Sequence, residues 1–198
     1  GPSELLVLAD ENANPNYIAS DLLSQAEHGL DSQVVFVSLS KSLLNEVEKC
    51  INDQVEILDR KDFINQSISN SKLIFFDNKI NAVDFINQYA PEHYIINTEN
   101  ESFYIDNIVS AGSVFIGNYS PESIGDYASG TNHTLPTNGN AKQYSGVNLE
   151  SFLKTITFQK ISKDGLMNIS KTVEIMAQAE GLQAHKNAVS IRVKDLSN

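Results

Sequence analysis

The residues able to do acid–base or metal chemistry near neutral pH fall in four short stretches. Gln25 and His28 are three apart, which on a helix puts both side chains on one face. Such a pair can chelate a cation, but glutamine is a weak ligand, and a hydrogen-bonded helix end is the plainer reading. Glu92 and His93 follow Pro91 directly. A carboxylate beside an imidazole suits general acid–base work. Adjacent residues of a regular strand point to opposite faces, so the pair serves one site only if the backbone is irregular just after Pro91. Asp126 and His133 lie in Gly125–His133 (GDYASGTNH), where small residues allow close approach to a ligand and aspartate suits a hard or borderline metal. A surface loop held by Asp and Ser turns explains the same residues. Glu180 and His185 sit around Gly181, where the plain reading is a charged helix end and a solvent-exposed tail. Taken singly, each imidazole is more often a surface or core-edge residue than a functional one. There is no G-x-G-x-x-G dinucleotide fingerprint after a strand and no G-x-x-x-x-G-K-[ST] phosphate loop. Cys50 has only Lys49 as a basic neighbour, which does not favour a thiolate nucleophile.

The elements that must position these groups follow from hydrophobic pattern. Leu5–Ala9 is a continuous apolar run, as in a strand covered on both faces. Asn14 can cap a helix with Pro15 at its first position, running from about Asn16 to His28 and stopping at Gly29. Strands are expected at Gln33–Ser38, Lys72–Phe76, Tyr94–Ile96 and Ser113–Gly117. Helices are expected over Lys41–Ile57, Asn81–Tyr89 and Ser102–Val109, the second stopped before Pro91. This alternation predicts an α/β layer structure with a mostly parallel sheet. From Asn118 to Gly146 the pattern stops, and a loop of that length is usually functional. Beyond it, Leu149–Thr157 and Ser162–Ala179 look helical, with Ser162 as N-cap and Gly181 as a stop. His185–Leu196 is ambiguous between helix and strand.

The chain has 198 residues, 41% of them apolar, an ordinary globular composition sufficient for one large domain or a domain with an appendage. Its 25 acidic and 14 basic residues give a formal charge of -11, which argues against nucleic-acid binding. No run of about 18 apolar residues is present, so no membrane span is expected. One cysteine excludes an internal disulfide. With no signal-peptide pattern, a cytoplasmic location is expected. The opening Gly1-Pro2-Ser3, without Met, reads as a tag scar or as the edge of a piece cut from something longer.

Four blocks resemble the histidinol dehydrogenase family: GPSELLVLADENANPNYIASDLLSQAEHG at the start, QYAPEH (Gln88–His93), GDYASGTNHTLPT (Gly125–Thr137) and AEGLQAHKNAV (Ala179–Val189). Their order and approximate spacing agree with that family over essentially the whole chain. The resemblance implies an incomplete Rossmann-like layered sheet over residues 1–146 and a helical C-terminal extension over 147–198 that contributes to a dimer partner. It places zinc ligands on Gln25, His28, Asp126 and His185, and the general acid–base pair on Glu92 and His93. Substrate-binding positions fall on Ser3, Gln25, His28, His93, Asp126, Glu180 and His185. No role follows for His133. The implied reaction takes L-histidinol to L-histidine through an aldehyde, in two hydride transfers to NAD. His93 would take the alcohol proton, Glu92 would activate the water that hydrates the aldehyde, and Zn2+ would orient the substrate. Glu180 could pair with the substrate's ammonium.

Family members are about twice this length, and most NAD contacts are expected in the half not present here. The sequence is therefore expected to be a C-terminal portion, inactive alone, from a homodimer whose active sites are shared between subunits. Two other readings use the same residues. One is a non-catalytic zinc- or ligand-binding module of the same fold, and the other is a zinc hydrolase with Glu92 as base.

Overall fold

The computed structural model describes residues 2–197. It divides into two compact units, Gly1–Phe152 and Leu153–Asn198.

The first unit is built on five parallel strands: β1 (Glu4–Ala9), β2 (Gln33–Ser38), β3 (Lys72–Phe75), β4 (His93–Asn97) and β5 (Ser113–Ile116). Their order across the sheet is β3-β2-β1-β4-β5. β1 pairs with β2 on one side and β4 on the other, with Leu5 opposite both Val34 and His93. That central place explains its unbroken apolar run, since every residue from Glu4 to Ala9 is buried. Alternate residues feed two cores. Leu5, Val7 and Ala9 pack with Ile18, Leu22, Leu43, Val47 and Ile64. These come from α1 (Pro15–Ala26), α2 (Lys41–Val55) and α3 (Lys61–Ser69). Leu6 and Leu8 pack on the other face with Ala82 and Ile86 of α4 (Lys79–Tyr89) and Tyr104 of α5 (Glu101–Ile105). The expected α/β architecture with a parallel, doubly covered sheet is what the chain adopts.

Three expectations change. A helix, α3, occupies a stretch given no element from sequence. Its nine residues bury only Ile64 and Ser67, too short a stripe to read, and Ser67 Oγ anchors it by donating to Ser32 O at 2.9 Å. The long loop contains α6 (Glu122–Tyr127) and a single 3-10 turn at Asn140–Lys142. The expected helix at Leu149–Thr157 is only a 3-10 turn, Leu149–Phe152, with no buried residue to hold it.

The first unit runs on past Gly146 to Phe152. The reason is local: Val147 N–H donates to Thr134 O at 3.0 Å, and a Cβ on Gly146 would press on Leu135. The return of the long loop thus stays with the sheet.

In the second unit, α7 (Lys163–Ala179) and α8 (Gln183–Leu196) pack on each other. Ser162 Oγ accepts from Gly165 N–H at 3.0 Å, the N-cap read from sequence. Gly181, at φ 74°, ends α7 while Leu182 N–H donates to Ala177 O at 2.8 Å and Gly181 N–H to Gln178 O at 3.0 Å. This is a Schellman closure, which needs the left-handed residue that glycine supplies. The ambiguous last segment is helix; α8 buries no residue, so its sequence carried no amphipathic stripe.

Candidate active site

A cavity of about 420 Å³ opens at the amino end of β1 and β4, lined by Ser3, Gln25, His28, Glu92, His93, Asp126, Tyr127 and His133. The route of the chain explains the meeting. α1 leaves the carboxyl end of β1 and runs back, so its last turn delivers Gln25 to the amino edge, and the turn that follows Ala26 delivers His28. His93 opens β4 with the same parity as Ile95, which packs in the α1-side core. His93 therefore faces α1, its ring 6.1 Å from that of Phe115. α6, which packs on α1, brings Asp126 from the third direction.

Glu92 and His93 do share one site. Glu92 precedes the strand, so strand alternation does not bind it. Ala90 supplies the irregularity: at φ 55° it closes α4, donating to Ile86 O at 2.8 Å, and it turns the chain into Pro91. Gly112 lies directly against this corner, and a Cβ there would sit 2.5 Å from Glu92 O.

His93 Nδ1 is 3.0 Å from Glu4 O. A carbonyl only accepts, so Nδ1 carries the proton and Nε2 the lone pair. Nε2 is buried, has no hydrogen-bond partner among the described residues, and stands 3.8 Å from Asp126 Oδ1. Burial lowers the His93 pKa, the Glu4 carbonyl and Asp126 opposing it, so the ring is neutral at pH 7. Glu92 Oε2 accepts Glu4 N–H at 2.9 Å and lies 3.6 Å from His93 Nδ1. Burial, aided by the charges of Glu4 and Asp126, pushes the Glu92 carboxyl up to about 7, although the Glu4 N–H opposes the shift. The cavity therefore holds a neutral imidazole whose buried Nε2 lone pair has no partner among the described residues, and a carboxyl near half-ionisation. Those are the two states that proton transfer at neutral pH requires.

Glu122, one turn before Asp126 on α6, was not singled out from sequence. It is 1% exposed, and burial, with the charges of Asp126, Glu92 and Asp21, pushes its carboxyl up to about 9. The spacing of four to Asp126 is the signal that could have shown it, since it puts both carboxylates on one helix face. With the Gln25 amide turned to satisfy both its ends, Nε2 donates to both oxygens of Glu122, 3.0 Å from Oε2. Its Oε1 then accepts Glu4 N–H at 3.0 Å. Ligand atoms of His93, Glu122 and Asp126 lie within 4.8 Å of one another. His28 is exposed at the cavity mouth, its Nδ1 3.1 Å from Ser24 O, which leaves Nε2 outward.

These donors fit a divalent cation. Amide oxygen, imidazole and carboxylate without thiolate make an open site of the kind that also takes substrate. Three carboxyls, Glu92, Glu122 and Asp126, crowd one partly buried space, and the first two hold protons abnormally tightly without a compensating charge. Six of the eight residues expected to act here (Ser3, Gln25, His28, Glu92, His93 and Asp126) line the one cavity. Glu180 and His185 belong to the second unit, as the C-cap of α7 and in the first turn of α8, both exposed.

Among the described residues, no helix is long and apolar enough to cross a membrane. The family model for histidinol dehydrogenase matches residues 1–193. Histidinol dehydrogenase of Bacteroides fragilis YCH46 is 54% identical over 196 residues, which cover 99% of this chain and 46% of that protein. The chloroplastic histidinol dehydrogenase of Arabidopsis thaliana is 54% identical over 197 residues, or 99% and 42% of the two chains. The crystal structure of histidinol dehydrogenase from Elizabethkingia anophelis superposes with a TM-score of 0.96 at 54% identity, covering all of this chain and 46% of that one. The chain thus spans under half the length of the relatives it matches, and over that span it belongs to the histidinol dehydrogenase family.

Proposed function

We propose that this chain forms the zinc- and substrate-binding portion of an NAD-dependent histidinol dehydrogenase that converts L-histidinol to L-histidine through the aldehyde. The observation that carries the reading is His93. Its proton is fixed on Nδ1 by Glu4 O, and its free Nε2 is buried in the same cavity as Glu92, Gln25, His28 and Asp126.

Gln25, His28 and Asp126, with His185, would hold Zn2+, which when bound orients the imidazole and amine of the substrate, while NAD, bound mainly outside this chain, accepts hydride. His93 Nε2 takes the alcohol proton as hydride departs, and the Glu4 carbonyl stabilises the imidazolium that forms by holding Nδ1–H. A carboxyl poised near pH 7 suits Glu92 to take a proton from the water that hydrates the aldehyde and to return it later. Ser3 at the cavity wall and Glu180 complete the proposed substrate contacts. The homodimer, and the donation of Glu180 and His185 to the other subunit's site, rest on the family resemblance, as does a cytoplasmic location.

Glu92→Gln in the full-length protein tests the assignment. It keeps size and hydrogen bonding but removes the base. Histidinol-dependent NAD reduction is expected to fall about 100-fold or more, the scale of a lost general base, with zinc content unchanged. Undiminished oxidation would reject the role of Glu92. Intact zinc binding with no histidinol oxidation even in the wild type would favour a binding module instead.

A further inference from the structure

The chain contains one Asn-Gly step, Asn138–Gly139, in the long loop. Both residues are left-handed, at φ 55° and 71°, and Asn140 N–H donates to Thr137 O at 3.1 Å across them. This is a type I′ turn, for which Asn-Gly is a preferred pair. Its ends are pinned: Asn138 N–H donates to Glu4 Oε1 at 2.8 Å, and Asn140 Nδ2 to Thr137 O at 2.7 Å. The peptide in the middle is not. Neither Asn138 O nor Gly139 N–H has a hydrogen-bond partner among the described residues, and the exposed Asn138 amide has none either. That peptide can turn over alone, converting the turn to type II′, because glycine accepts φ of either sign. The flip takes ψ of Asn138 to about −120°. There the Asn138 side chain eclipses the Gly139 nitrogen, and its amide carbon can meet that nitrogen.

We propose that Asn138–Gly139 is a site of spontaneous modification with water as the reactant, and that its product loosens the hold of the long loop on Glu4. Gly139 N attacks Cγ of Asn138 and closes a five-membered imide. The Cγ–Nδ2 bond breaks, and ammonia leaves with the proton that Gly139 N gives up. Water then opens the imide. Attack at Cγ gives aspartate, and attack at the main-chain carbon gives isoaspartate, whose backbone runs through the former side chain. The sum is water taken up and ammonia released, with no oxidant or metal. Isoaspartate lengthens the main chain at the residue whose N–H the buried Glu4 carboxylate accepts, and either product adds a negative charge there. Other steps are held back. Asp164–Gly165 could close the same ring, but it lies within α7 and Gly165 N–H is held by Ser162 Oγ at 3.0 Å. Asn132 and Asn140 have no glycine after them, and their side chains are engaged with Thr134 N–H and Thr137 O.

The test is ageing of the full-length protein at mildly alkaline pH. Peptide mass spectrometry follows the exchange of NH₂ for OH, and an isoaspartate-specific methyltransferase labels the rearranged backbone. Residue 138 is expected to convert before Asn132 and Asn140, and to take the methyl label. Amide hydrogen exchange over residues 134–146 is expected to quicken in step with the conversion. Asn138→Gly keeps the left-handed turn and the N–H to Glu4 but lacks the amide, so exchange in its loop is expected to stay constant with age. An unstructured peptide spanning Leu135–Lys142 serves as the clock. Residue 138 still asparagine in the protein when that peptide has fully converted would overturn the site. So would conversion of Asn132 or Asn140 ahead of it. Full conversion with unchanged exchange, or an equal quickening in Asn138→Gly, would overturn the effect on the loop.

Discussion

At the residue scale, the cavity's chemistry comes from burying groups that water would keep ordinary. The same holds one turn earlier on α1. Burial raises the Asp21 carboxyl from 3.8 to about 7, and its charge is felt by Glu122. Asp21 holds its proton to higher pH when folded than when unfolded. The native state is therefore favoured by this group below about pH 4, and that advantage is lost as the pH rises through 7. Asp21→Asn is expected to stabilise the chain at pH 8 by on the order of 1 kcal/mol, allowing for screening at a partly exposed side chain, and to change little at pH 4. Urea midpoints of both proteins at the two pH values check this. Equal midpoints at pH 8 would mean that Asp21 is solvated. Residue types and the family blocks made Gln25, His28, Glu92, His93 and Asp126 legible in the sequence, because each belongs to a motif. Glu122 was not, since a carboxylate beside Pro121 in a polar stretch looks exposed. Only the packing of α6 on α1 buries it.

At the element scale, the five strands and α1 were readable because each has a strong local signal: a short apolar run, or Asn14 and Pro15 at a helix start. Asn14 Oδ1 does accept from Asn16 N–H, at 2.9 Å. α3 and α6 lacked such signals. α3 carries a two-residue buried stripe, and α6 is six residues with a glycine inside. The corner at Ala90–Pro91 was only a condition in the sequence reading, and the left-handed Ala90 fulfils it. Gly112 backs this corner, and its N–H donates to Pro91 O at 2.9 Å. Gly112→Ala would drive a methyl into Glu92 O. A loss of about 1–3 kcal/mol in unfolding free energy is expected from such overpacking, with reduced oxidation by the shifted Glu92–His93 pair. Chemical denaturation and a histidinol-oxidation assay, both on the full-length variant, measure the two effects. A change below about 0.5 kcal/mol would mean that the corner yields cheaply.

At the scale of the whole molecule, the site lies at the amino end of the central strands, whereas ligands in open parallel sheets usually bind beyond the carboxyl ends. Helix ends and loop returns, rather than strand-to-helix turns, therefore build it. A site assembled from α1, β4 and α6 would tie the proposed zinc binding to folding of the sheet. Free zinc at about 100 times its dissociation constant is expected to add about 2.7 kcal/mol. For a chain of this size that raises the melting temperature by roughly 5–10 °C over the chelator-treated protein. Scanning calorimetry with and without chelator measures the difference, and identical melting curves would mean that the metal-free fold builds no binding site.

Glu4 opens β1, and its groups reach in four directions. Its N–H is shared by Glu92 and Gln25, its carbonyl holds His93, and its carboxylate accepts from Asn138 in the long loop at 2.8 Å. Three of these four tethers are backbone bonds, which no side-chain replacement at this position removes. What they read is strand alignment. A one-residue slip of β1 against β4 would withdraw the bonds to Glu92 and His93 together. The pairing of Glu92 with His93 is thereby made contingent on correct sheet pairing: a misaligned chain would carry both side chains and still lack the arrangement that the proposed chemistry needs.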